Sequence, residues 1–154
     1  MSDLGAKLAL KAGDAKGLRL GAVVASFNHV YTSRLLASAQ ARLKALGGSF
    51  AQVAWVPGAL ELPSAAAWMA AGKLDGVVAI GCVIRGETSH YDFVAGQCAQ
   101  GVQQVGLETG HPVVFGVLTT ENLEQALARS APEADGHNVG RDCARTAVEM
   151  VALL

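Results

Sequence analysis

Four apolar runs punctuate the chain: "LRLGAVVAS" (18–26), "SFAQVAWV" (49–56), "GVVAIGCVI" (76–84) and "PVVFGVL" (112–118). Each is short and bounded by polar or turn-forming residues, and the third is β-branched enough to be the central strand of a sheet. Between the runs the apolar spacing becomes helical. In "SRLLASAQARLKALGG", Leu35, Ala39, Leu43 and Leu46 recur about once per turn, with Thr32 or Ser33 as the N-cap and Gly47 as the stop. "PGALELP" breaks the chain before an Ala-rich helix, "SAAAWMAAG". Tyr91 to Thr109 predicts a longer helix, with Val94, Cys98, Val102 and Val105 inward and Gly110 closing it. After the fourth run, Asn122 and Gln125 are spaced as a capping box ahead of a short helix. "PEADGHNVG" is a turn-rich connector to a last helix, "RDCARTAVEMVALL", whose apolar stripe runs through Cys143, Ala147, Met150 and Leu154.

Strands that alternate with helices and are apolar along their length predict a parallel sheet covered on both faces. The expected fold is therefore α/β in three layers, α/β/α, with a four-stranded parallel, doubly wound sheet. A length of 154 residues fits one domain. Residues 1–17 have weak periodicity and read as a flexible N-terminal arm, leaving 18–154 as the single domain.

Composition changes this picture in one respect. Hydrophobic residues make up 51% of the chain and charged residues 16%, against about 25% charged in an average soluble domain. A small protein has too much surface to hide that excess inside, so a homo-oligomer is expected. The formal net charge is -1 and no basic run occurs, which argues against nucleic acid and anionic membranes as partners. No signal peptide or membrane-spanning run is recognisable. Cys82, Cys98 and Cys143 lack any C-x-x-C spacing and read as buried, reduced thiols of a cytoplasmic protein.

In an open parallel sheet, ligands bind beyond the carboxyl ends of the strands, where helix N-termini and loose amides converge. Four segments belong there: "FNHVYT", "PGALELP", "RGETSH" and "TTEN". Each candidate has a plainer reading beside the functional one. Phe27 can plug the core as readily as stack on a ring. Glu61 has apolar neighbours, and as an isolated residue a helix-capping acid describes it better than a ligand. His90 can simply begin a helix, although an imidazole beside a glycine turn also suits proton transfer. "RGET" can offer amides to a phosphate, yet on spacing alone a tight turn is the simpler reading. Arg129 at a helix end is accounted for by the helix dipole and solvation. Neither G-x-G-x-x-G nor a P-loop occurs, and the four histidines show no ligand spacing, so nucleotide cofactors and metals find no support.

Taken together, the segments are far more specific. "SFN", "VPGALELP", "GCVIRGETSHYDFV" and "FGVLTTENLEQALAR" resemble, in order and spacing, the motifs of the 6,7-dimethyl-8-ribityllumazine synthase family of riboflavin biosynthesis. The similarity extends from about residue 18 to the C-terminus. It implies a flavodoxin-like sheet and a condensation of 5-amino-6-(D-ribitylamino)uracil with 3,4-dihydroxy-2-butanone 4-phosphate, without cofactor or metal. By position, it implies that Phe27 stacks on the pyrimidine while Ala59, Leu60 and Glu61 hold the ring and its ribityl chain. Cys82, Val83 and Ile84 would line the uracil side, and Glu87 and Thr88 would meet the butanone phosphate. His90 would shuttle protons, Arg129 would clamp the phosphate, and Phe115 would arrive from the neighbouring subunit, because the family's pocket lies between adjacent subunits. Two positions depart from the pattern: Ser26 stands where many relatives have Arg, and Val139 where a Lys is common. "GHNVGRD" is similar to the pentameric fungal pattern, so a pentamer is expected in preference to a 60-subunit capsid. Two other readings have sequence consequences: a flavin- or lumazine-binding relative could have lost His90 or Arg129, and another enzyme on this fold would lack the joint third and fourth motifs.

Overall fold

The computed structural model describes residues 9–132 and 137–154. Its elements, in chain order, are β1 (Leu20–Ala25), α1 (His29–Ala45), β2 (Phe50–Val56), a 3-10 turn (Ala59–Glu61), α2 (Leu62–Ala70), β3 (Gly76–Ile84), α3 (His90–Thr109), β4 (Val113–Thr120), α4 (Leu123–Ser130) and α5 (Val139–Val151). The strands form one parallel sheet in the order β2-β1-β3-β4. The three-layer, flavodoxin-like architecture expected from the alternation of elements is the one observed.

Period-two alternation along β1 and β3 divides the core into two layers. Val24, Val78 and Ile80 face α1 and α5, where they pack with Leu35, Leu43, Ala144 and Val148. Val23, Val77 and Ala79 face α2 and α3, where they meet Leu62, Ala66, Cys98 and Val102. Replacing a fully buried leucine such as Leu35 by Ala would cost about 3 kcal/mol, because the transfer term and the residual cavity add. The central strands are covered on both faces, whereas β2 at the sheet edge leaves Val53 and Trp55 partly open. The expectation of full coverage therefore holds for the interior strands and fails at this edge.

Three local expectations are corrected. α1 begins at His29 rather than after Thr32 or Ser33, because Asn28 adopts a left-handed conformation (φ 60°) and its carbonyl starts the helix by accepting from the N–H groups of Tyr31 and Thr32. Thr32 is consequently buried inside the helix, and the Ser33 hydroxyl donates back to the His29 carbonyl at 2.6 Å. α5 begins at Val139 with the Asn138 side chain as its cap, and its buried stripe is Gly140, Cys143, Ala144, Ala147 and Val148. Met150 and Leu154 are exposed instead of continuing that stripe. Gly140 lets α5 lie directly against α1, since a Cβ there would collide with the Leu35 carbonyl.

Of the segment read as an arm, residues 1–8 lie outside the described residues. Farther along it, the N–H groups of Gly13 and Ala15 both donate to the Leu46 carbonyl, at 3.0 and 2.9 Å, and Ala15 is buried. Within the connector, residues 133–136 also lie outside the described residues.

Candidate functional site

The carboxyl ends of β1, β2 and β3 enclose a cleft of about 380 Å³. Its first wall follows from how β1 ends. Ser26 N–H donates to Val56 at 2.7 Å and Phe27 N–H to Pro57 at 3.0 Å, so the chain stays tied to β2 while the Phe27 ring is left 71% exposed over the cleft. At Asn28 the chain then turns through the left-handed region, and Asn28 Nδ2 donates to the Cys82 carbonyl at 2.8 Å. A non-glycine residue is held there at a cost of about 1–2 kcal/mol, which this hydrogen bond helps to offset.

The second wall is the 3-10 turn. Gly58 is extended, and Glu61 N–H closes the turn onto its carbonyl at 3.2 Å. Ala59, Leu60 and Glu61 all line the cleft. The Glu61 carboxylate caps no helix, since α2 has no side-chain cap, so the capping role that best suited it in isolation does not apply. A side chain at Gly58 would crowd this carboxylate, with a Cβ 3.2 Å from Glu61 Oε2.

Cys82, Val83 and Ile84 at the end of β3 make the floor, and Thr88 and His90 stand at the rim. Thr88 Oγ1 accepts from the His90 N–H at 3.3 Å, and the Ser89 carbonyl from the Asp92 N–H at 3.0 Å, so the loop folds directly into the first turn of α3. Burial pushes the Cys82 thiol up to about 11, which leaves it protonated and unsuited to act as a nucleophile. Arg85, just before the loop, is paired with Asp92 at 3.2 Å and with Glu121 at 2.7 Å. Its pKa is raised above the ordinary guanidinium value, chiefly by the hydrogen bond to Asp92, with a smaller opposing loss of hydration and support from Glu121.

The remaining candidates lie elsewhere. Glu87 is exposed on the same loop but is not part of the cleft wall. Phe115 and Arg129 line a different and wider cleft of about 770 Å³, which runs along β4 and α5 together with His137, Val139, Asp142 and Thr146. α4 carries Arg129 in its last turn. The start of that helix is fixed by a variant of the expected box: Asn122 Oδ1 accepts from Gln125 N–H at 2.8 Å, while Gln125 Oε1 accepts from the N–H of Glu121, one residue before the cap, at 2.8 Å.

Sequence reasoning missed Asn28, Gly58, Tyr91 and Val94 as walls of the first cleft. Asn28 carries a recognisable signal, an Asx residue between a strand and a helix. Tyr91 and Val94 reach the wall only because α3 starts at the rim, and that depends on tertiary placement. Among the described residues, no three His, Cys, Asp or Glu side chains converge as metal ligands. No helix there is long and apolar enough to cross a membrane.

The family model for 6,7-dimethyl-8-ribityllumazine synthase matches residues 17–154. The chain belongs to that family. It is accordingly a transferase of riboflavin biosynthesis. The lumazine synthase reaction condenses 5-amino-6-(D-ribitylamino)uracil with 3,4-dihydroxy-2-butanone 4-phosphate to 6,7-dimethyl-8-ribityllumazine, phosphate and water. Both substrates are small molecules, a ring with a polyol tail and a phosphorylated ketone, which suits a concave apolar cleft rimmed by a few polar groups.

Proposed function

We propose that the lumazine synthase site is assembled from the first cleft of one subunit and the β4 cleft of its neighbour. Phe27 stacks on the pyrimidine, Ala59 and Leu60 flank it, and the Glu61 carboxylate accepts from ribityl hydroxyls. Cys82, Val83 and Ile84 bound the uracil edge, while Thr88 and Glu87 meet the butanone phosphate from the loop. The neighbour contributes Phe115 beside the ring and Arg129 as a bidentate phosphate clamp.

The chemistry this arrangement serves needs no activated protein nucleophile. The substrate's own amine adds to the ketone, and loss of water gives an imine. A proton leaves the carbon next to the imine as the C–O bond to phosphate breaks, the resulting enol takes a proton at its terminal carbon to become a methyl ketone, and the second nitrogen adds to that carbonyl and closes the ring with loss of water. His90 at the rim takes and returns protons in these steps. Arg129 stabilises the departing phosphate. Holding two small reactants in line contributes most of the acceleration.

One observation carries the reading: the cleft that holds His90 and the cleft that holds Arg129 share no lining residue. Exposed Phe27, Trp68, Phe93, Leu107 and Leu153 further favour burial between copies of the chain. A pentamer is proposed in preference to a 60-subunit capsid, on the "GHNVGRD" pattern, and a cytoplasmic location accords with three buried free thiols.

The test is complementation. His90→Ala and Arg129→Ala chains, each slow alone, are unfolded together in equal amounts, refolded and assayed for lumazine. In a head-to-tail ring, about a quarter of the sites then pair an intact His90 with an intact Arg129, so activity should return to roughly that fraction of the parent. Activity no higher than the mean of the two separate variants rules out the shared site.

A further inference from the structure

Arg85 is the charged residue of the "RGETSH" segment that the reading above leaves unused, and its guanidinium is engaged on several sides. Nε donates to Glu121 Oε2 at 2.7 Å, Nη1 and Nη2 reach the Asp92 carboxylate at 3.3 and 3.2 Å, and the guanidinium carbon lies 4.3 Å from the centre of the Tyr91 ring. Its backbone N–H also donates to the Thr120 carbonyl at 2.9 Å. A single residue thus joins the end of β3, the end of β4 and the first turn of α3.

Stability does not explain this convergence. The paired side chains are 37%, 58% and 60% exposed, and ion pairs of that kind contribute little to folding. Geometry explains it better. The chain leaves β3 at Arg85, crosses Gly86, around which there is open space, and returns at His90. Tyr91 and Asp92, the two residues that follow His90, are the ones Arg85 grips. The planar guanidinium meets one carboxylate along Nε, another along its terminal nitrogens and a ring with its face, which a lysine cannot do.

We infer that Arg85 is a positioning residue for the condensation: it locks the first turn of α3 to the end of β4 and so holds His90 and Thr88 in register at the rim. This inference rests on the proposed roles of those two residues. Phe27, Leu60 and Glu61 stand on elements away from the partners of the Arg85 side chain, and Cys82, Val83 and Ile84 are held by their strand pairing with Leu118, Thr119 and Thr120, so the uracil half of the cleft depends on that side chain far less than the rim does.

The experiment is steady-state kinetics of Arg85→Ala, Arg85→Lys, His90→Ala and the Arg85→Ala/His90→Ala double variant. Arg85→Ala should lower kcat about tenfold, since a modest misalignment of a catalytic group costs that much or more. KM for the butanone phosphate should rise several-fold, and KM for the ribitylaminouracil should stay within about twofold. The thermal midpoint should move by no more than about 3 °C, as expected for exposed ion pairs. Arg85→Lys should recover only part of the loss. The double variant should be about as slow as His90→Ala alone, because residues acting as one unit are not additive. Additive losses, or equal rises in both KM values, overturn the inference while leaving the site reading intact. A His90→Ala enzyme at the parental rate sinks the site reading and this inference with it. Should Arg85→Ala fail to fold, Asp92→Asn combined with Glu121→Gln loosens the same clamp from its other side. That variant should show the same split at about threefold in kcat, and unchanged kinetics overturn the inference equally.

Discussion

The two clefts differ in how much of their structure a single chain completes. The cleft at the ends of β1, β2 and β3 has a closed apolar floor, walls tied together by main-chain and Asn28 hydrogen bonds, and a folded rim. The cleft along β4 and α5 is about twice as large and is lined in nearly equal parts by the edge strand β4 and by α5, with Arg129 at the end of a short helix. Where the chain supplies its own partners, the walls are tied together by its own hydrogen bonds before any ligand arrives. Along β4 the edge is left open, which is the arrangement expected of a surface that another subunit covers.

The sharpest way to break this comparison is His90→Ala. With the first cleft as the seat of proton transfer, turnover should fall on the order of a hundredfold, while titration with the lumazine product still shows binding near the parental affinity. An equal loss of binding would give His90 a structural part instead. Arg129→Ala probes the second cleft. Loss of a charge-assisted pair to a phosphate should raise KM for the butanone phosphate about tenfold to a hundredfold, with the ribitylaminouracil unaffected, and a uniform change in both would remove Arg129 from the phosphate.

The smallest effect concerns the thiols. Cys82 and Cys98 are pushed up to about 11, and Cys143 to about 12, by burial. In the unfolded chain these groups release their protons near 9.0. Between pH 9 and 11 the unfolded state therefore holds fewer protons than the folded one, so stability falls as pH rises through that window and is unaffected by these thiols below it. At pH 8 burial keeps the Cys82 thiol protonated, so alkylation of the native protein at this buried position should be slow. Rapid labelling at pH 8 would mean that the first cleft opens far more than its hydrogen bonds imply.

Much of this was legible in the residues because local and global signals agree. β3 runs over Gly76–Ile84, the bounds of its apolar run, since a fully buried central strand has no polar position to blur its ends. The capping box of α4 formed for the same reason: its donors and acceptors lie within five residues. The start of α1 was misplaced because Asn28 initiates it through backbone conformation rather than through a side-chain cap. The stripe of α5 differs from its apolar spacing at the end: Val151 still packs against the core, whereas Met150 turns toward the β4 cleft and Leu154 lies beyond the helix. Among the candidate site residues, Phe27, Glu61 and His90 meet in one cleft of one chain. Phe115 and Arg129 do not join them, and no periodicity could say so, because that separation depends on which side of β4 each element returns to.

Gly140 has a consequence for how this chain can vary. The helix that forms one wall of the β4 cleft is seated on α1 by that residue, in its own first turn. One added methyl group at Gly140 would run into the Leu35 carbonyl and displace the entire wall, so the width of the cleft is set at a helix contact remote from any residue that meets a ligand.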